Sequence, residues 1–337
     1  MSRLSPQRVH QLLAAAARLR VLVIGDVMLD QFVRGRVSRI SPEAPVPVLE
    51  FESEEFMPGG AANVARNLTA LGAGAAVVGI VGADDAGAQL RRLLARERVS
   101  TVGLVADKGR ATTRKTRIIA HHQHIARVDR ESRGPADKAL QGRVISAAIA
   151  AIGRADAVLV GDYGKGLVTQ PLLNQLRRHC RARGVWLGLD PKPVHALKLS
   201  GLSLITPNRR EAFALAGMED TAPRGNPLAD AALCRVAKRL LATLTPSVLL
   251  ITLGDQGMLL CRSGRRPLHV PTAAREVFDV SGAGDTVIAS FTLAMAAGAS
   301  PEEAAEFSNH AAGVVVGKVG TATVTPAELM ARFATSP

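Results

Sequence analysis

At 337 residues and 47% hydrophobic content, the chain has material for one large α/β domain or two modest ones. Only 3% of residues are aromatic, so Ala, Leu, Val and Gly must build the core, which suits close helix-on-sheet packing rather than an aromatic binding platform. The net charge of +13 comes from scattered arginines without interleaved aromatics or a nucleic-acid motif, so phosphorylated small molecules or an arginine-rich proteome account for it better than DNA or RNA.

Pro6 to Leu19 has amphipathic helical spacing and leads into Val21 to Ile24, a continuous apolar run typical of a strand buried on both faces. Arg3 and Arg8 before Leu12 to Ala17 faintly resemble a signal peptide, but His10 and Gln11 interrupt it. The strand ends in Gly25-Asp26, with Asp30 beyond. Open α/β sheets bind ligands at such strand tips, which makes Asp30 a candidate for holding hydroxyls and leaves Asp26 as a turn cap.

From Gln31 to Met57 the pattern changes to short alternating pieces, and Pro42, Pro45 and Pro47 forbid a helix; an antiparallel excursion is expected. Gly59-Gly60-Ala-Ala-Asn63 then opens a helix to Leu71. The glycine pair either offers backbone N–H groups to a ligand, with Asn63 one turn along, or simply makes a turn. Ala75 to Val81 reads as a core strand, Ala86 to Glu97 as a helix, and Thr101 to Val105 begins another strand. Ala111 to Arg130 is strand-like with a polar face. Paired with the earlier excursion, it predicts a small antiparallel β lid (about 31–58 and 108–131) that brings Arg114, Lys115 and Arg117 near a substrate. His121, His122 and His124 have no fourth soft ligand nearby and predict no metal site.

Strand-then-polar-tip units follow. Ala157 to Val160 runs into Gly161-Asp162-Tyr163-Gly164-Lys165-Gly166, and Trp186 to Leu189 into Asp190-Pro-Lys192. Leu204-Ile-Thr-Pro-Asn208 ends beside Glu211, and Val248 to Thr252 leads to Gly254-Asp-Gln-Gly257. Such repetition predicts a mostly parallel sheet flanked by helices with its site along one edge. Without an internal repeat or low-complexity linker, one domain over residues 1–337 plus a lid is the simplest organisation.

Near the end, Asp279-Val-Ser-Gly282-Ala283-Gly284-Asp285-Thr286 precedes an apolar, helix-spaced run to Ala297. The glycines let the amides of residues 282 to 284 face an anion at a helix N-terminus. A carboxylate fixed there repels an anion unless it has work to do. Accepting a hydroxyl proton during phosphoryl transfer is such work; a plain helix cap is the alternative for an isolated Gly-Ala-Gly-Asp. Cys180, Cys234 and Cys261 are far apart and form no Cys-x-x-Cys pair, so a reducing cytoplasm is the expected setting, and no apolar run is long enough to span a bilayer.

Taken together, Gly59-Gly60…Asn63, Asn208…Glu211, Thr252…Gly254…Gly257 and Asp279 to Thr286 resemble, in order, the motifs of the ribokinase-like (PfkB) carbohydrate kinases. The resemblance covers essentially the whole chain, with Ser281 in place of the usual Thr and Val287 in place of an aromatic residue. Within that family, Ile40 to Glu50, the Thr-Arg-Lys-Thr-Arg-Ile-Ile segment with Gln123 to Asp129, and Gly161 to Gly166 resemble bacterial heptose 7-phosphate kinases.

The resemblance implies a ribokinase-like fold and ATP-dependent phosphorylation of an anomeric hydroxyl. In that reading Asp285 is the base, and the Gly282, Ala283 and Gly284 amides hold the transferring phosphoryl group. Asn208 and Glu211 position Mg²⁺ through water, while Thr252, Gly254 and Gly257 line the nucleotide side. Asp30, Gly59, Gly60 and Asn63 orient the sugar. Asp162, Lys165, Arg114, Lys115 and Lys192 gather at the substrate, with Lys165 on its distal phosphate. A kinase of another sugar phosphate, of the fructose or tagatose type, and a non-catalytic sugar-responsive protein are the alternatives. Many relatives carry a fused adenylyltransferase with His-x-Gly-His. That motif does not occur here, so a separate transferase is expected to act downstream. Exposed lid strands lead to the expectation of a homodimer through the lid.

Overall fold

The computed structural model describes residues 4–121, 123–132, 134–194, 196–221 and 225–334. The chain runs α1 (Pro6–Ala16), β1 (Arg20–Gly25), β2 (Val27–Ile40), β3 (Pro47–Gly60), α2 (Ala61–Ala70), β4 (Gly74–Gly82), α3 (Asp85–Arg96), β5 (Val99–Asp107), β6 (Arg114–Ala120), β7 (Gln123–Arg130), α4 (Lys138–Ile152), β8 (Ala157–Gly161) and α5 (Gln170–Arg183). It continues through β9 (Trp186–Asp190), β10 (Leu204–Ile205), α6 (Arg209–Ala216), α7 (Ala231–Leu244), β11 (Val248–Thr252), β12 (Met258–Cys261), β13 (Leu268–Val270), α8 (Ala283–Ala296), α9 (Pro301–Val315) and α10 (Pro326–Ala334).

The apolar runs become the middle of a nine-stranded sheet of order β13-β12-β11-β10-β9-β8-β1-β4-β5. Pairing is parallel from β11 across to β5, and only the β11–β12 and β12–β13 pairs, at one edge, are antiparallel. Because side chains alternate across a strand, β1 sends Val21 and Val23 into one core and Leu22 and Ile24 into the other. The first core is closed by α1, α2, α8, α9 and α10 through residues such as Leu12, Leu68, Phe291, Phe307 and Leu329. The second is closed by α4 to α7 through Leu140, Leu172, Phe213 and Leu233. Each such side chain, fully buried, contributes about 1.5–3 kcal/mol. Helix α8 is buried from Asp285 through Ala294, which explains its nearly all-apolar composition.

Helix ends are set locally. Ser5 and Asp84 accept from Arg8 and Gly87 N–H at 3.1 and 2.8 Å, and Gly184 and Gly217 end α5 and α6 in the left-handed conformation. The open edge at β5 is covered by arginines: Arg91 donates to Leu104 O (2.8 Å) and Arg143 to Ala106 O (3.0 Å).

The lid is a second sheet of order β3-β2-β6-β7. β2 with β3 and β6 with β7 pair antiparallel as expected, but β2 and β6 pair parallel, from Leu29↔Arg114 to Gly35↔Ala120. The reason lies in the connections: β2 leaves the main sheet after β1 and β6 after β5, two strands that both run parallel to β4. Both hairpins therefore set out in the same direction.

Candidate active site

Helix α8 begins at Ala283, which places Asp285 in its first turn. Gly282 has φ +80°, and a Cβ there would come within 2.7 Å of Asn63 Nδ2, so only glycine suits this corner. Ala283 N–H already donates to Val280 O at 3.2 Å. This corrects the expected cradle: among the described residues it is the N–H groups of Gly282, Gly284 and Asp285 that meet no protein acceptor. Three such donors at the positive end of a helix dipole are suited to an anion. Asp279 braces the loop before them, accepting from Ser281 N–H at 2.8 Å and Gly320 N–H at 3.0 Å.

Behind the cradle lies the buried Asp285 carboxyl. Its Oδ2 accepts from Asn63 Nδ2 at 2.8 Å and its Oδ1 from the Tyr163 hydroxyl at 2.5 Å. Burial pushes this carboxyl up to about 6, while Tyr163, Asn63 and the Lys115 charge hold it down and Asp30 pushes it up. Asn63 belongs to a buried network in which Asn67 donates to Asn63 O (2.9 Å) and Thr286 Oγ1 to Asn67 Oδ1 (2.9 Å). Tyr163 comes from the loop after β8, whose shape is set by Asp26. That carboxylate accepts from the N–H groups of Tyr163 and Lys165, both at 3.0 Å, and of Leu167 at 3.2 Å. Asp26, expected to cap its own turn, instead caps the loop after β8, far away in sequence.

Gly59 and Gly60 make room rather than contacts. A Cβ on Gly59 would lie 2.3 Å from Asp30 Oδ2, and one on Gly60, at φ +58°, 2.6 Å from Asp26 O. Asp30 is buried, with Oδ1 2.7 Å from Arg117 Nη1. Lys115 lies on the same side of β6 as Arg117. Its ammonium is pushed down by burial and by the nearby Lys165 charge. The Lys165 ammonium is not free: Glu131 Oε2 holds it at 2.5 Å. Arg114, by strand alternation, falls on the opposite side. There it helps lower the Asp84 carboxyl, whose burial cost is outweighed chiefly by hydrogen bonds from Thr112 and Gly87. The structure therefore does not bring Arg114 to the site. Asp162 accepts from Gly164 N–H at 2.9 Å and shapes its own loop.

A second cluster sits at the tips of β9 to β11. Asn208 caps α6: its Oδ1 accepts from Glu211 N–H at 2.9 Å, and Glu211 Oε2 accepts from Asn208 N–H at 3.0 Å. Lys192, expected at the substrate, instead places its ammonium 2.9 Å from Glu211 Oε1, because that carboxylate is the nearest counter-charge. Asp190 joins them, accepting from Thr206 Oγ1 at 3.0 Å; burial pushes its carboxyl well up, and Glu211 and Asp285 add to the push. Thr252 bridges to Asn208 through the backbone, and Gly254, at φ +63°, has open space where a side chain would be. Gly257 is different: at φ +84°, its Cβ would meet Val270 O at 2.2 Å, so it packs against the end of β13 instead of facing a ligand. No group of three His, Cys, Asp or Glu suited to direct metal binding occurs among the described residues. His122 lies outside them.

Sequence reasoning missed Tyr163, Arg117 as the partner of Asp30, Asp190 and Glu131. The polar tip Gly161 to Gly166 was a signal for Tyr163; the other three depend on long-range pairing.

A buried carboxylate beside three unpartnered amides joins a proton acceptor to an anion cradle, the pairing that phosphoryl transfer to a hydroxyl needs. Residues 18–328 match the pfkB family carbohydrate kinases, and the chain belongs to this family of ATP-dependent kinases. It is 46% identical to the bifunctional protein HldE of Desulfatibacillum aliphaticivorans over 94% of its own length and 64% of that protein's. With the bifunctional protein HldE of Geobacter sulfurreducens it shares 44% identity, over 96% of the chain and 65% of the relative. The chain thus spans just under two thirds of these relatives. Among solved structures, Escherichia coli phosphofructokinase-2 in complex with potassium superposes with a TM-score of 0.76 at 22% identity, covering 94% of this chain and 98% of that one. Arabidopsis thaliana ribokinase complexed with ribose and ATP gives 0.71 at 18% identity, covering 95% and 100%. These two establish the ribokinase-like fold. No helix among the described residues is long and apolar enough to cross a membrane.

Proposed function

We propose that the chain transfers the γ-phosphoryl group of ATP to the C1 hydroxyl of D-glycero-β-D-manno-heptose 7-phosphate, giving the 1,7-bisphosphate used for ADP-heptose and lipopolysaccharide core synthesis. The observation that carries the chemistry is Asp285, buried between Asn63 and Tyr163 directly behind the Gly282, Gly284 and Asp285 amides. The choice of sugar rests on the heptose-kinase resemblance of the lid and of Gly161 to Gly166, together with the paired cations Lys115 and Lys165.

In the reaction, Asp285 takes the hydroxyl proton as the oxygen attacks phosphorus, and the amides receive the charge on the transferring group. Asp30, braced by Arg117, orients sugar hydroxyls with its remaining oxygen. Thr252 and Gly254 line the nucleotide side. Burial first, then the nearby Glu211 and Asp285, raise the Asp190 carboxyl, with Lys192 as the ammonium neighbour of this cluster. Because both Glu211 oxygens are already engaged, the cluster fits hydrated Mg²⁺ held through water by Asn208 and Glu211. Mg²⁺ would neutralise charge on the phosphates. The lid leaves Ile40, Phe51 and Val128 more than half exposed, which supports a homodimer through this sheet. Adenylyl transfer to the product is assigned to a separate catalytic unit.

ADP release measured with heptose 7-phosphate, the dephospho-heptose, fructose phosphate and tagatose phosphate tests the assignment. Heptose 7-phosphate is expected to be used best, and efficient use of the dephospho sugar or of a ketose phosphate overturns it. Lys165→Ala is expected to raise KM for heptose 7-phosphate by about ten- to a hundredfold with little change for ATP, as loss of a charge-assisted contact predicts. Since Glu131 shares this ammonium, the lower half of that range is the expected one. Equal losses on both heptoses would show that Lys165 does not read the phosphate.

A further inference from the structure

Tyr163 is the only tyrosine in the sequence. Every part of it is fixed. Its hydroxyl donates to Asp285 Oδ1, and its N–H to Asp26 Oδ2. Its ring occupies room left by two glycines: a Cβ on Gly161 would lie 2.9 Å from the ring and one on Gly60 3.4 Å. An apolar residue would fill that space equally well, so packing alone does not call for a hydroxyl.

We propose that Tyr163 is a positioning residue for the base: its phenol O–H, set by Asp26 through the loop backbone, holds the Asp285 carboxylate in the orientation and charge state that proton abstraction needs. The inference rests on the reading of Asp285 as base. Both carboxylate oxygens have a donor, Tyr163 on one and Asn63 on the other, so the group cannot rotate without breaking a buried hydrogen bond. The charges that face it are Asp30 and Lys115 from the lid strands and Asp190 from the tip of β9. Burial first, then Asp285 and Asp190, push the Tyr163 phenol well above its ordinary value, so it remains a donor at any working pH.

The sign of the effect follows. A hydrogen bond to the ionised form favours that form, so losing it raises the pKa of the base. The parent is expected to lose kcat as pH falls through about 6, where Asp285 becomes protonated. Tyr163→Phe keeps the ring and is expected to move this acid limb upward by about one to two pH units, with most of the turnover returning on the alkaline side. A limb that superposes on the parent's overturns the proposal. An activity-independent readout comes from ultraviolet difference spectra of tyrosinate, which in this chain report Tyr163 alone. Asp285→Asn removes the neighbouring charge and is expected to bring the phenol's ionisation midpoint down; an unmoved midpoint overturns the coupling even if Tyr163→Phe fails to fold. The two readings fail separately: turnover retained by Asp285→Asn removes the base assignment, whereas an inactive Asp285→Asn beside an unshifted Tyr163→Phe profile removes only the role of Tyr163.

Discussion

Asp285→Asn is expected to lower kcat by about 10²- to 10⁴-fold, the usual contribution of a positioned base, while ATP binding is retained. The amide keeps the shape of the carboxylate and can still accept from Tyr163, but it cannot take a proton. Folding should be little changed, because two terms offset. The carboxyl is raised from 3.8 to about 6, so its contribution favours the fold below pH 4 and is lost as pH rises through 6. At neutral pH the buried charge therefore costs about 3 kcal/mol, and the substitution relieves that cost. Against it, Asn63 Nδ2 then faces an amide in place of a carboxylate oxygen, at a cost of about 1–3 kcal/mol. A melting temperature close to the parent's, with turnover lost, is the expected pair of results. Loss of ATP affinity as well would point to a structural role, and near-normal turnover would refute the base assignment.

Gly284→Ala separates the anion cradle from the turn that carries it. Gly284 lacks a positive φ, and no protein atom lies within 4 Å of where its Cβ would be, so the fold accommodates alanine without strain. Alanine is also the better helix former, by about 0.8–1 kcal/mol in a helix interior and less in this first turn. The new methyl group would stand where a phosphoryl group must approach the amides. Losing one such donor typically removes about 2.7–4 kcal/mol of transition-state stabilisation, or roughly 10²- to 10³-fold in kcat. An unchanged or raised melting temperature with that loss of kcat is expected; unchanged kcat would mean that the amide of Gly284 is not used. Gly282→Ala is the contrasting control, because φ +80° and the approach of Asn63 make it lose stability and activity together.

The alternation of apolar runs with polar tips was enough to read the parallel sheet, since strands buried on both faces have few other uses for such sequences. The loop from Asp279 to Asp285 and the glycine pair before Asn63 were also legible, because glycine and a following helix leave a local trace. The partner of each charge was not. Arg114 and Lys115 are adjacent in sequence, and only the register of β6 against β2 decides that Lys115 faces the site while Arg114 does not. Lys165 is expected on the distal phosphate with Lys192 as a helper, and nothing in the sequence announces that the fold sets Glu131 and Glu211 against them. Ala283 was assigned to the cradle by position, but its amide closes the turn onto Val280. The carboxyl of Asp190 shows the same limit: burial, then Glu211 and Asp285, which are distant in sequence, push it up.

The bond between Asn63 and Asp285 joins residues 222 positions apart, and that from Tyr163 to Asp285 spans 122. Closing such long loops carries a large entropic cost that local structure cannot recover in advance. A ribosome-bound chain that has released only its N-terminal half holds Asn63 without its acceptor and Tyr163 without the base. The catalytic centre therefore comes into being with the docking of α8, and chains at that stage hold the sugar-side residues Asp30 and Asn63 but no proton acceptor in place. In refolding, amide-hydrogen protection around Asn63 and Thr286 should appear in one step with ATP turnover, which makes phosphoryl transfer a direct report that the two ends of the chain have met.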